Sequence, residues 1–168
     1  MERVRQFFSA ILAGMLIGMG GTVFLSQSNP VVGSFLFAIG LFTIVVFQLH
    51  LFTGKVGYTP FNKPVYLIEL VVTWLGNLVG TWITATMVQN SRIYEGMAER
   101  VAGMAEVKLS DDFTSIFLLA VFCGMLMFIA VDCFRNVQGS TLRFIGVFVP
   151  VMVFILSGFE HVIANMFY

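Results

Sequence analysis

Polar residues divide the chain into five long apolar stretches. The punctuation falls at Ser26 to Pro30, Thr59 to Pro64, Asn90 to Asp112 and Arg135 to Thr141, leaving stretches at roughly 6–25, 31–58, 64–89, 112–134 and 142–168. Helix rises about 1.5 Å per residue, so each stretch is long enough to cross a bilayer core of about 30 Å. Spanning strands would be shorter and would alternate polar with apolar positions, which these stretches do not. The pattern predicts an all-α membrane protein, a single transmembrane domain over 1–168. Met1 to Arg5 ahead of an apolar run resembles a secretory leader. That run, Phe7 to Leu25, is too long for a leader core and has no A-x-A exit site, so it reads as a retained first span.

Composition agrees with the pattern. Of 168 residues 58% are hydrophobic and 11% charged, and the mean hydropathy is +0.94. Soluble domains carry about 25% charged residues, so this chain lacks the polar surface of one. Nine Lys and Arg balance nine Asp and Glu, which excludes a basic surface for nucleic acid. Cys123 and Cys133 stand ten apart in one apolar stretch and read as two small buried thiols, not as a metal pair. One set of connections holds Arg3, Arg5, Lys55, Lys63, Arg135 and Arg143; the other holds Arg92, Arg100 and Lys108 beside five acids. The excess of positive charge puts the N terminus in the cytoplasm.

Two stretches break off early. The second turns polar and glycine-bearing from Gln48 to Tyr58, and the fifth from Ser157 to Asn165. Breaks at corresponding places are the mark of inverted-repeat transport folds, here with a first repeat of about 6–89 and an incomplete second of about 112–168. Broken backbone at membrane depth must line a cavity or be buried in protein, because lipid cannot satisfy its polar groups. A pore between stretches two and five follows. Gly14 with Gly18, and Gly76 with Gly80, would let helices pack closely.

Within the pore the sharpest residue is His161, which can donate to an anion and can gain a proton near neutral pH. Glu160 and Asn165 make a polar cluster with it, and Thr53 offers a hydroxyl if the two broken stretches face each other. Phe37, Phe52 and Phe154 are candidates for apolar constrictions that exclude water. Glu69, Asp132, Arg135 and Lys63 read as solvated anchors near span ends. Two intramembrane histidines, His50 and His161, are the minimum for a haem b site, which is a competing reading. A pore for neutral solutes such as ammonia or hydrogen sulfide is another. No hydrolytic or metal-binding residue set is suggested.

Several motifs together carry a resemblance. Gly40-Leu41 leads to Leu51-Phe52-Thr53-Gly54, then Gly76-Asn77-Leu78-Val79-Gly80, then Phe154, Gly158-Phe159-Glu160-His161 and Ala164-Asn165-Met166. The chain resembles the formate/nitrite transporter family of pentameric anion channels over nearly its whole length. The resemblance implies an aquaporin-like protomer in a homopentamer of the inner membrane, without cofactors or enzymatic activity. Each protomer would pass small monovalent anions such as formate or nitrite. It implies apolar slits at Phe37, Leu41 and Phe154, a central constriction at Leu51 and Phe52, and His161 as the central polar residue assisted by Thr53 and Asn165.

Four departures from the family pattern stand out. His50 replaces an acid before Leu51-Phe52-Thr53. Gly124 stands where the fourth span usually carries an Asn beside the pore. Arg143 opens the fifth span in place of Lys, and its planar head makes it unequal to Lys. Finally, the family has six spans and this sequence contains five, ending at Tyr168, which implies either a truncated polypeptide or gene product or a natural short form that relies on neighbours.

Overall fold

A computed structural model describes Met1–Tyr168 as seven helices and no strand. They are α1 (Glu2–Leu25), α2 (Pro30–Val46), α3 (Tyr66–Gln89), α4 (Ala98–Ser110), α5 (Phe113–Asn136), α6 (Ser140–Leu156) and the short α7 (Val162–Asn165), with a 3-10 turn at Val56–Phe61 before α3. Three of them, α1, α3 and α5, are 24 residues long and apolar enough to cross a membrane.

Local chemistry sets the starts. Asn29 accepts N–H bonds from Val31 and Val32 ahead of Pro30 at the first position of α2, and Asp112 does the same for Thr114 and Ser115 at the start of α5. The same principle sets two of the stops. Helices α2 and α6 are both 17 residues long and end in the same motif. At α2, the Leu49 N–H donates to Ile44 O and Gln48 N–H to Val45 O, with Gln48 at φ 54°. At α6, the Phe159 N–H donates to Phe154 O and Gly158 N–H to Ile155 O, with Gly158 at φ 70°. These paired reverse bonds are the Schellman ending, which satisfies the last carbonyls and turns the chain sharply away. Both interruptions expected from the sequence are therefore capped helix ends.

Packing follows the small residues. Helix α1 lies against α2 and α3, α2 against α6, and α5 against α6. A Cβ on Gly14 or Gly80 would collide with the backbone of the facing helix, at Asn77 and Ile11, and one on Gly76 with Ala10. Both glycine pairs thus sit in the α1–α3 seam, where backbone contact requires the missing side chain. An aromatic layer of Phe35, Phe42, Phe144 and Phe148 joins α2 to α6, with Phe134 of α5 at its edge. The outer surface is apolar as well: Phe117, Leu118, Val121, Phe122, Met125 and Ile129 of α5 are all exposed. A bundle greasy on its outside is a membrane fold.

The connection from Asn90 to Asp112 corrects the sequence reading, which treated it as a polar loop. It contains α4. Arg100, Met104 and Lys108 stand four apart, all half-buried, on the face that α4 turns to the bundle. Arg100 Nη1 donates to Phe24 O and Leu25 O, both at 3.2 Å, and to Gln27 O, and the guanidinium lies 4.5 Å from the Phe24 ring centroid. That cation closes the C-terminal end of α1, where carbonyls lack partners and the helix dipole is negative.

Candidate functional site

The two Schellman turns send their following residues toward each other. Thr53 Oγ1 and His161 Nε2 meet at 3.1 Å, although they are 108 residues apart, and both are buried. The other imidazole nitrogen is settled by the backbone: Nδ1 accepts the Ala164 N–H at 3.0 Å as the cap of α7. An amide can only donate, so Nδ1 carries no proton and the neutral ring keeps its hydrogen on Nε2. That N–H donates to Thr53, whose own hydroxyl hydrogen is left for a further acceptor. The Phe154 ring lies against the imidazole, 5.2 Å between centroids and 26° between planes, and Phe37 meets Phe154 edge-on at 5.9 Å.

Glu160 and Asn165 form a separate cluster beside this pair. Lys108 Nζ lies 2.7 and 2.6 Å from the two Glu160 oxygens, and Asn165 Nδ2 donates to Glu160 Oε2. Asn165 therefore reaches His161 through backbone helix geometry alone, not through its side chain. Lys108 was counted in the sequence only as a loop charge. The signal that would have found it is the Arg100, Met104, Lys108 spacing on one helix face.

Asn77 is the other residue that sequence reasoning passed over, quoting it in a motif without a role. It is fully buried. Its Oδ1 accepts the Phe52 N–H at 2.8 Å, and its Nδ2 donates to Ala10 O at 2.7 Å and to His50 O at 2.9 Å. One amide thus ties the broken backbone at His50 and Phe52 to α1 and α3. Ser9 completes the support: its hydroxyl oxygen accepts the His50 N–H at 3.2 Å and lies 3.1 Å from His50 Nδ1. No buried side-chain nitrogen or oxygen is left without a hydrogen-bond partner.

Cavities open on both sides of the Thr53–His161 contact. One, of about 510 Å³, is lined by Leu41, Leu51, His50, Lys55, Arg135 and Arg143 among others. The other, of about 70 Å³, is lined by Phe154, His161, Asn165, Lys108 and Tyr168 among others. No residue lines both. Phe37, Leu41, Leu51 and Phe154 are each buried, 1%, 1%, 2% and 3% exposed, so the material between the cavities is closed and, apart from the Thr53–His161 pair, apolar. The Phe52 ring takes another direction and lines an apolar groove with Val56, Leu70 and Trp74.

Three other expectations are modified. Asp132 accepts from Tyr58 Oη at 3.0 Å and from Asn136 at 2.8 Å, which makes it a tie between the 3-10 turn and α5 and not a free anchor. Cys133 is half-buried, unlike Cys123. His50 and His161 line different cavities, and each has a ring nitrogen engaged by the protein, so they do not face a shared haem pocket.

An apolar bundle with two spans stopped at matching places, and an imidazole buried where they meet between two cavities, is a multi-pass membrane protein of the channel and transporter class. A family model described as "Formate/nitrite transporter" matches residues 1–168, and the chain belongs to that family. It is 27% identical to the formate channel FocB of Escherichia coli (strain K12), over 99% of this chain and 66% of that protein. It is 27% identical to the nitrite transporter NirC of the same strain, over 94% and 65%. It is also 27% identical to the uncharacterized transporter YrhG of Bacillus subtilis (strain 168), over 83% and 56%. The chain thus spans between 56% and 66% of the length of these curated relatives. Among solved structures, a pentameric formate channel with formate bound superimposes with a TM-score of 0.85 at 26% identity, over 99% of this chain and 73% of that one. An FNT family ion channel superimposes with a TM-score of 0.83 at 25% identity, over 98% and 72%. The fold is the helical channel fold of this family, and these relatives are channels and transporters, not enzymes.

Proposed function

We propose that the protein containing this chain conducts small monovalent anions such as formate or nitrite, one pore to each protomer of a homopentamer in the inner membrane, with the N terminus in the cytoplasm. The single observation that carries this reading is the buried Thr53–His161 hydrogen bond at the meeting of the two breaks, closed on either side by apolar walls. An anion entering from the 510 Å³ cavity sheds water against Leu41 and Leu51. It then meets the donor left free at the centre, the hydroxyl hydrogen of Thr53, whose oxygen is held by the Nε2–H of His161. Phe37 and Phe154 form the second apolar wall, and Glu160 and Asn165 line the way out together with Lys108.

The neutral ring makes proton transfer a defined event. A second proton can be accommodated only at Nδ1, and it would break the bond from Ala164 that caps α7, at a cost of about 1 kcal/mol. Passage of the anion with a proton therefore couples to the stability of a four-residue helix. His161→Asn keeps an acceptor and a donor but cannot carry a proton at any pH between 5 and 8, where imidazoles titrate. The expected outcome is a large loss of the pH dependence of formate or nitrite uptake into proteoliposomes of the complete protein. Uptake identical to wild type across that range would overturn the role of His161. Flux insensitive to the anion gradient would show a neutral-solute pore in its place.

A further inference from the structure

The cavity beside the first break has a wall charged with one sign only. Lys55 comes from the break, Arg135 from the end of α5 and Arg143 from the start of α6; His50 adds an imidazole, and no carboxylate lines the cavity. The ion pair in this fold is Lys108 with Glu160, so none of these three cations has an acid as partner. Arg143 spends its Nε on Val137 O at 2.8 Å and lies over Phe134, while Arg135 lies over Tyr58. The outer N–H groups of Arg143 and the Lys55 ammonium have no protein acceptor. Of the nearby acids, Asp132 serves Tyr58 and Asn136, and Glu69 lines an adjoining groove with Arg3 and Arg5, from which its charge reaches Lys55 without an ion pair.

Size sharpens the inference. At about 510 Å³ the cavity falls within the roughly 300–1,000 Å³ of small-molecule sites, far more than an anion of three or four atoms fills. Its floor is apolar, with Leu41 and Leu51 buried, and bars a bulky, strongly hydrated ion. Two guanidinium forks and an ammonium match phosphate oxygens, which accept paired bonds from Arg. We propose that this cavity binds an oligovalent phosphate-bearing anion, which neutralises the wall, cannot cross the floor, and occludes the pore from that side.

Pyrophosphate is the probe, titrated calorimetrically into the protein in nanodiscs of phosphatidylcholine. Saturable binding of one pyrophosphate per chain is expected, weakened about tenfold in Arg135→Gln and further in Lys55→Gln with Arg135→Gln, since each bond to a charged group contributes about 1.5–3 kcal/mol. The Lys55 side chain bonds no protein group, Arg135→Gln gives up the packing of the guanidinium over Tyr58, and matching elution and circular dichroism check the fold. No saturable heat, unchanged binding in both variants, or displacement by equimolar formate would overturn the proposal. Loss of binding in discs containing phosphatidylglycerol assigns the phosphate to a lipid headgroup, and persistence assigns it to a soluble anion. Binding is read without transport, so its failure and the failure of the pore reading are separate results.

Discussion

The two breaks share a backbone and differ in the side chains that clamp it. Their landmarks recur 110 residues apart: Pro30 and Ser140 at the helix starts, Val46 and Leu156 at the ends, Gln48 and Gly158 at positive φ. Even the brace on the extended segment recurs, because the His50 N–H donates to Ser9 Oγ and the Glu160 N–H to Leu119 O, 3.4 Å away. The lateral support does not recur. The first break is held by neutral groups of its own half, Ser9 and Asn77. The second is held by charge, with Lys108 reaching in from the connecting helix α4 to Glu160. A repeat can conserve the turn while each copy recruits its own clamp, because a turn is fixed by local hydrogen bonds and a clamp by whichever element lies beside it.

That contrast can be broken at the first clamp with the largest effect. Asn77→Ala strands the Phe52 N–H and the His50 C=O away from water, and unpaired buried groups cost about 1–3 kcal/mol each. A loss of about 2–4 kcal/mol is expected in unfolding monitored in detergent. Cysteine-accessibility labelling should show Leu51 and Phe52 newly exposed, with Val162 unchanged. Labelling that spreads equally to both breaks would mean the two clamps are one unit.

Removing the charged clamp should cost less. Lys108→Ala leaves Glu160 with Asn165 alone, but the ammonium side chain keeps 22% of its surface exposed. The loss should therefore fall below the range for fully buried pairs, at about 2 kcal/mol. Replacing both members, Lys108→Leu with Glu160→Leu, should recover most of that stability, since no charge is then left unpaired. A double variant as unstable as the single one would show that the pair stabilises beyond its own desolvation.

The smallest effects test the shared turn. Gln48 adopts a positive φ that side chains other than glycine enter at a cost of about 1 kcal/mol, so Gln48→Gly should stabilise slightly, by about 0.5 kcal/mol after the entropy of the unfolded chain is counted. Gly158→Gln should destabilise by about 1 kcal/mol, for conformation alone, because a Cβ there meets nothing within 4 Å. Opposite signs at the two positions are the expected result in paired melting curves. The same sign at both would mean that one of the turns is set by its surroundings.

Much of this was legible in one dimension. Apolar runs of span length fix the place and helical type of the five apolar stretches, because bilayer thickness and helix rise are constants, and the glycine pairs announce the α1–α3 seam because only a missing side chain permits backbone contact. The breaks, and the histidine within one of them, could be read because polar and glycine residues are costly in lipid and stand out against it. The helix α4 and its inward face were not legible, since its charges look like those of any solvated loop until the bundle supplies Glu160 and the end of α1 as partners. The same holds for Asn77, whose three bonds join segments 25 to 67 residues apart. Sequence composition determined that this chain spans a membrane and stops twice inside it; which side chains hold those stops was decided by tertiary structure alone, because a hydrogen bond depends on distance in space and the chain records only order.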